Sequence, residues 1–412
     1  MAMTAQSVEA VRRQFPAFQR QINGTPAAYF DAPGGTQVPE SVANAVREYL
    51  LHHNANTHWA FPTSNETDAM IVRARRAAAD LLGATAGEIA FGANMTTLTF
   101  HVSRALGRQW GPGDEVLVTE LDHHANVAPW QALAKERGVT VRTVPLAADM
   151  RSLDLDAFAR MLSPRTRLVA VGAASNAIGT ITDPAVITDM AHAAGALVFT
   201  DAVHFAPHDL VDVRAMGSDL LACSAYKFCG PHVGLLYVRK ELAEQLDVPK
   251  LEPAPDSAPE RFETGTLNHE GIAGVEAAVD FLAELGGALG SRRERLEASY
   301  GWLHGQGESL FGRMWQGLAA IPGVQLYGHA PGGGRRTPTV AFTVGKLPSG
   351  DVAARLAGEG VFVSDGDFYA STVVKRLGLA EQGLVRAGCA CYTSEEEVER
   401  LVEGVKRLKA RG

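Results

Sequence analysis

The segment Ser224-Ala225-Tyr226-Lys227-Phe228-Cys229-Gly230-Pro231 follows a short apolar run and sets a lysine on a turn ahead of Gly-Pro. A lysine amine condenses with carbonyl groups to a Schiff base when it is held rigidly and partly desolvated. Most lysines are solvated surface charges, so this segment alone decides nothing. A second apolar run, residues 196–201, ends in the carboxylate of Asp201. An acid at the carboxyl end of such a strand faces the crevice where α/β proteins bind ligands, although Asp is also a common helix N-cap. Together the two residues suit pyridoxal phosphate, with Lys227 as the covalent anchor and Asp201 keeping the pyridine nitrogen protonated. Asp201, His204 and His208 also invite a metal reading, but Pro207 opposes the regular helix that would bring the two histidines together, and no metal is expected.

Such residues need rigid elements to hold them. Residues 115–119, 139–144, 167–172, 196–201, 219–223 and 233–238 are short runs rich in Val and Leu, several of them continuously apolar. That pattern predicts strands covered on both faces, as in a largely parallel sheet flanked by helices. Between them, Asp183, Pro184 and Gly195 punctuate one helix as N-cap, first residue and terminator, and Gly138 closes another. The last third reads differently: a long helix over 293–319, strands over 324–328 and 339–344, a helix over 351–358, and strands over 361–364 and 384–388. Thr393 and Ser394, three residues before Glu396 and Glu397, give a capping box in either register for a final helix with the apolar stripe Val398, Leu401, Val402, Val405 and Leu408. The expected organisation is an α/β protein with a short N-terminal segment (1–28), a large mainly parallel-sheet domain (29–285) and a small α+β C-terminal domain (286–412). The N-terminal segment is expected to pack on the small domain.

Composition narrows the function classes. The chain has 412 residues, a net charge of −8, 46% hydrophobic and 20% charged residues. The mild acidity argues against nucleic acid, which demands clustered base. No apolar run approaches the ~18 residues that span a membrane, and residues 1–18 lack the apolar core of a signal peptide. The four cysteines (Cys223, Cys229, Cys389 and Cys391) form neither a disulfide framework nor a zinc motif, and free thiols point to the cytoplasm.

Several segments in order resemble the cysteine desulfurase branch of the class V aminotransferases, which are fold-type I pyridoxal-phosphate enzymes. They are Tyr29-Phe30-Asp31-Ala32-Pro33, Asn54-Ala55-Asn56-Thr57-His58, Asp122-His123-His124-Ala125-Asn126, Ser175-Asn176, Asp201-Ala202-Val203-His204, Tyr226-Lys227, Arg261-Phe262-Glu263-Thr264-Gly265-Thr266 and Arg386-Ala387. The resemblance implies that Lys227 is the Schiff-base lysine and the proton shuttle at the α-carbon, that Asp201 pairs with the pyridinium, and that His123 stacks on the cofactor ring. It further implies that Met95, Thr96 and Ser224 hold the phosphate, with Thr266 reaching the phosphate of a neighbouring subunit in a homodimer. His204 and Tyr226 take the family's other cofactor-side positions. Asn176 falls near both cofactor and substrate, and Arg386 clamps the substrate carboxylate. Taken singly, Thr96 reads as a helix cap, His123 as a solvated turn, and Asn176 and Arg386 as ordinary buried hydrogen-bonding groups.

The resemblance breaks at the loop that carries the family's persulfide-forming cysteine. Here it reads Ser364-Asp365-Gly366-Asp367-Phe368-Tyr369-Ala370, with Tyr369 at the cysteine position and Ser364 in place of an arginine. A phenol, with a pKa near ~10, cannot replace a thiolate as sulfur acceptor. Asp365 and Asp367 either suggest a substrate side chain bearing positive charge or hydrogen-bond donors, or simply point to solvent, with His58 and Tyr369 also facing the substrate. Cys229 is the remaining thiol near Lys227. The expected activity is a C–S lyase acting by β-elimination on an amino acid without a persulfide relay. Transamination, epimerisation and loss of catalysis are the alternatives.

Overall fold

The computed structural model describes residues 7–410, so the first six residues of the expected N-terminal segment lie outside the described residues. Seven strands build the main sheet: β1 (Ile89–Gly92), β2 (Glu115–Thr119), β3 (Thr140–Val144), β4 (Thr166–Gly172), β5 (Leu197–Asp201), β6 (Leu220–Ser224) and β7 (Gly234–Val238). Their spatial order is β1-β7-β6-β5-β4-β2-β3. Strands β2 to β6 run parallel, and β7 runs antiparallel to both β6 and β1. Six of the seven follow the apolar runs within a residue or so. The reversal of β7 has a simple cause: residues 225–233 are too few for a parallel crossover, which needs about a dozen. Strand β1, absent from the sequence expectation, is a four-residue Ile-Ala-Phe-Gly too short to display a period. The continuous apolar runs of β2, β6 and β7 are wholly buried, whereas edge strand β3 is largely exposed.

Register brings the carboxyl ends together. Gly172 of β4 pairs with Asp201 of β5, and Asp201 with Ala222 of β6, two residues before Ser224. The functional residues predicted at strand ends therefore share one edge of the sheet, where open α/β sheets bind ligands.

A second, antiparallel sheet has the order β8 (Val324–Tyr327), β9 (Thr339–Val344), β11 (Leu384–Gly388), β10 (Ser364–Gly366). Its core joins Val340, Phe342 and Val385 to Leu310 and Met314 of the helix Arg292–Ala319 and to Val398, Leu401 and Val405 of the helix Glu395–Ala410. The single strand expected over 361–364 is split. Val361–Phe362 pairs in parallel with Ala28–Tyr29, while Ser364 turns to pair with Arg386. Ser394 and Glu397 form the reciprocal capping bonds of the last helix, and Thr393 instead accepts from the Ala390 N–H. Upstream of Ala28, Arg12 bonds Glu397 and the Tyr392 carbonyl, and the rings of Phe15 and Phe18 pack on Tyr392. Phe15 also meets Phe281 of the helix His269–Glu284. No helix among the described residues is long and apolar enough to cross a membrane.

Candidate active site

Strand β6 ends at Ser224, and one 3-10 turn, Ala225–Lys227, carries the lysine into a cavity of about 870 Å³. Lys227 is buried, and its Nζ donates to the Pro33 carbonyl. Burial, reinforced by the Arg386 charge and opposed by Asp201, lowers the amine to about 7 from an ordinary value of 10.5. Asp201 enters from the end of β5. Its Oδ1 accepts from the Val203 N–H at 2.9 Å, and burial raises its carboxyl to about 6 against the pull of Lys227. His123 caps the turn after β2: its Nδ1 accepts from the Ala125 N–H at 3.0 Å, which leaves the proton on Nε2. Burial, then Lys227 and Arg386, push this imidazole down to about 4, so the ring is neutral.

Across the same cavity lies the start of the helix Met95–Gly107. Asn94 and Thr97 cap it reciprocally, the Thr97 N–H reaching Asn94 Oδ1 at 2.9 Å. The Met95 N–H goes to Ser224 Oγ at 3.0 Å, which ties the helix to the lysine strand. Thr97 is thus the capping threonine, and the hydroxyl of the exposed Thr96, also lining the cavity, has no partner among the described residues. The first-turn N–H groups and the helix dipole make this end a natural phosphate seat.

The second sheet supplies the opposite wall. Arg386, on β11, is buried, and its Nη1 donates to the Asn176 carbonyl at 2.7 Å and its Nη2 to Ser364 Oγ at 3.3 Å. Its charge is pressed down to about 9 by burial, with Asp31 opposing. The ring of Phe368 covers one face of the guanidinium at 4.1 Å, and Asn176 Nδ2 holds the Phe368 carbonyl at 2.9 Å. Three buried polar atoms in this one cavity have no protein partner among the described residues: Asn176 Oδ1, His204 Nδ1 and Arg386 Nε. Native proteins rarely leave such groups unsatisfied unless a ligand serves them.

Comparison with known proteins agrees with this layout. The aminotransferase class-V family model matches residues 28–401. The chain belongs to the class V aminotransferases. Within them it falls in the cysteine desulfurase-like branch. It is 34% identical to a cysteine desulfurase of Klebsiella pneumoniae over 98% of both chains, and 32% identical to one of Dickeya dadantii over 97% of this chain and 96% of that one. Among solved structures, the apo cysteine desulfurase of Thermococcus onnurineus NA1 superposes with a TM-score of 0.89 at 29% identity, covering all of both chains. An Escherichia coli cysteine desulfurase in its S-sulfonic acid form follows at 0.85 and 28%, covering 99% and 100% of the two chains. Like other class V aminotransferases, this chain is a pyridoxal-phosphate-dependent enzyme with the fold-type I architecture.

The cavity of this class V enzyme fits the cofactor by the chemistry of its donors. An amine that deprotonates near pH 7, a buried carboxylate, a flat neutral ring and a helix N-terminus surround a space large enough for cofactor and substrate together. Lys227, Asp201, His123, Met95, Thr96, Asn176, His204, Ser224, Tyr226, Arg386 and Tyr369 all line it. His204 is buried with Nε2 between the hydroxyls of Thr337 and Thr339, and Tyr226 stacks on His232 with ring centres 4.8 Å apart.

Four predicted site residues lie elsewhere. His58 does not line the cavity: Asp68, on the helix Pro62–Leu82, takes its N–H at 3.1 Å and its Nδ1 at 3.2 Å and keeps the ring in solvent. Asp365 is exposed because Ser364 uses the Arg386 side of β10, and adjacent strand residues face opposite ways. Asp367 spends Oδ1 on the Tyr369 N–H at 3.0 Å, stabilising the loop from outside the cavity. Of the two readings of these acids, the structure agrees with the solvent-facing one. Thr266 borders a separate cavity of about 300 Å³ with Thr97 and His101. Cys229 is buried against Cys391, to which its thiol hydrogen-bonds, and does not line the main cavity.

The sequence reading assigned no part to Asp122, Pro33, Ser364 or Phe368. Asp122 stood inside a quoted motif. It accepts from the N–H groups of Thr119 and Gly172 and from Asn126 Nδ2, joining β2, β4 and the His123 turn, and burial raises its carboxyl to about 7.

Proposed function

We propose that this enzyme is a C–S lyase that releases a thiol or sulfide from a β-sulfur amino acid and has no persulfide relay. The observation that carries this reading is that no thiol lines the main cavity among the described residues, while Tyr369 stands at the position where the resemblance puts the sulfur-accepting cysteine. Cys229, Cys389 and Cys391 are buried, and burial raises the Cys389 thiol far above its ordinary value, the opposite of what a nucleophile needs.

Bound pyridoxal phosphate supplies an electron sink for the charge left at the substrate α-carbon when its proton departs. Arg386, with its in-plane Nε open, and Asn176 Oδ1 and Nδ2 orient the carboxylate and amino end of the substrate. Lys227 Nζ, which loses its proton near pH 7 rather than near 10.5, takes the α-proton. Asp201 would balance the positive charge of the bound cofactor's ring nitrogen, and the neutral imidazole of His123 would be available to stack against its ring. Half-buried Phe368 covers one face of the guanidinium and keeps water from it. With the sulfur on the β-carbon as leaving group, the balance is R–S–CH2–CH(NH3+)–COO− plus water giving R–SH, pyruvate and ammonium. The C–S and C–N bonds break, with no net oxidation.

The test is incubation of the cofactor-loaded protein with a panel of amino acids. Equal amounts of pyruvate and thiol or sulfide are expected, with no persulfide on the protein and no product from Lys227→Ala, which also loses the visible absorbance band. A keto acid with the amine retained on the cofactor would establish transamination instead, and α-deuterium exchange without net product would establish epimerisation. A Lys227→Ala protein that kept the wild-type band would overturn the assignment of the lysine. Four free thiols suit a reducing compartment, and we place the enzyme in the cytoplasm as a homodimer.

A further inference from the structure

Exposed lining residues open the main cavity at the helix end (Ala93, Thr96 and Thr97) and at the other end (His124 and Tyr369, with Gly34 close to Arg386), and His232, stacked on Tyr226, is a further exposed lining residue. The helix end is the phosphate end. The other end lies beside Arg386 and is where a substrate side chain must leave. Its shape is set by the loop 367–370, fixed by four bonds: Asn176 Nδ2 to the Phe368 carbonyl, the His124 N–H to the Tyr369 carbonyl at 2.7 Å, the Tyr369 N–H to Asp367 Oδ1, and the Ala370 N–H to the Asp367 carbonyl. Phe368 and Tyr369 both adopt left-handed backbone, with φ of 55° and 56°, a conformation non-glycine residues resist. That strained pair sends the two rings opposite ways. Phe368 covers the face of Arg386 and leaves its edge for a carboxylate, while Tyr369 sits beside His123 with ring centres 5.6 Å apart and 73% of its surface exposed.

Charge at this mouth is as telling as shape. Among the described residues lining the cavity, the Asp, Glu, Lys and Arg side chains are Asp201, Lys227 and Arg386, all buried and all assigned above to the cofactor or the substrate backbone. An anionic side chain would lose water here beside the Asp367 carboxylate and gain no partner, and a cationic one would meet only that exposed carboxylate, whose Oδ1 already holds the Tyr369 N–H. We propose that the substrates are amino acids whose side chain is bulky and uncharged and carries an aromatic ring, packed against Tyr369 and His123. This deepens the lyase reading and rests on its placement of the substrate carboxylate at Arg386.

The test uses holoenzyme and four cysteine derivatives: S-benzyl, S-methyl, S-(2-aminoethyl) and S-carboxymethyl. Loss of α-deuterium to solvent is followed, because every reaction outcome passes through it, and pyruvate is scored in parallel. The S-benzyl compound is expected to have a KM at least about fivefold below either charged compound, in line with the strength of a ring–ring contact. Tyr369→Ala should raise its KM about five- to tenfold, more than that of the S-methyl compound, and Tyr369→Phe should recover the preference. Equal KM values for benzyl and charged compounds, an unchanged benzyl-to-methyl ratio in Tyr369→Ala, or exchange with none of the four would overturn the proposal. Benzyl-selective exchange without pyruvate would uphold it while sinking the lyase reading.

Discussion

At the scale of single residues, the site is a set of charges displaced from their ordinary values by burial and by one another. Lys227 sits between Arg386, which lowers its pKa, and Asp201, which raises it. Only the unprotonated amine attacks the cofactor aldehyde, so cofactor incorporation into the apoprotein should speed up about tenfold per pH unit below 7 and level off above it. A surface lysine would still be climbing at pH 9. Because Asp201 supports the charged amine, Asp201→Asn should move the midpoint to lower pH. Stopped-flow absorbance against pH checks both, and a midpoint that stayed near 10 would show that the amine is not desolvated as its burial requires. The same rule separates this lysine from its neighbours: a covalent anchor is recognised by a burial that a surface charge would never tolerate.

Elements set where these charges stand, and one contact does this with little tolerance. A Cβ at Gly234 of β7 would lie 2.6 and 2.7 Å from the carbonyl carbon and Cα of Asn94, the cap of the phosphate helix. Those are backbone atoms and cannot swing away, so Gly234→Ala should shift the cap at a cost of about 1–3 kcal/mol. Cofactor titration and thermal melting should show about tenfold weaker binding and a lower Tm. Gly87→Ala, whose Cβ meets nothing within 4 Å, serves as the control and should change neither. The close approach at Gly234 could not be read from the sequence, because it joins residues that only the fold brings together. Apolar runs revealed β2 and β4 to β7 since burial on both faces leaves a near-continuous signature, and the Val-rich edge strand β3 was legible from its composition despite its exposure, whereas four-residue β1 has no such signature. Lys227 and Asp201 were legible as strand-end residues, and Arg386 through its ordered motif. His58, Asp365 and Asp367 were misplaced because their directions depend on partners invisible in one dimension: Asp68 on a neighbouring helix, the pleat phase fixed by Ser364, and a turn that consumes the Asp367 carboxylate.

At the scale of the whole molecule, the surface carries a feature that a lone soluble chain seldom keeps. Leu50, Leu51, Trp59 and Phe61 expose 47, 58, 61 and 45% of their surface within one short stretch around the start of the helix Pro62–Leu82. Large apolar side chains grouped in this way mark association surfaces. Thr266 borders its own cavity beside Thr97 and leaves the main site of its chain unserved, as suits a residue completing the site of a second subunit. Assembly and cofactor binding should therefore be coupled but separable by mutation. In the homodimer proposed above, Trp59→Asp with Phe61→Asp should give monomers in sedimentation and also weaken cofactor binding, since there Thr266 of one subunit serves the phosphate of the other. Thr266→Ala should stay dimeric and weaken the cofactor by about tenfold, the scale of one hydrogen bond to a charged group. A Thr266→Ala dimer with undiminished affinity would mean that each chain holds the phosphate by itself, through Thr96, Ser224 and the first turn of its own helix.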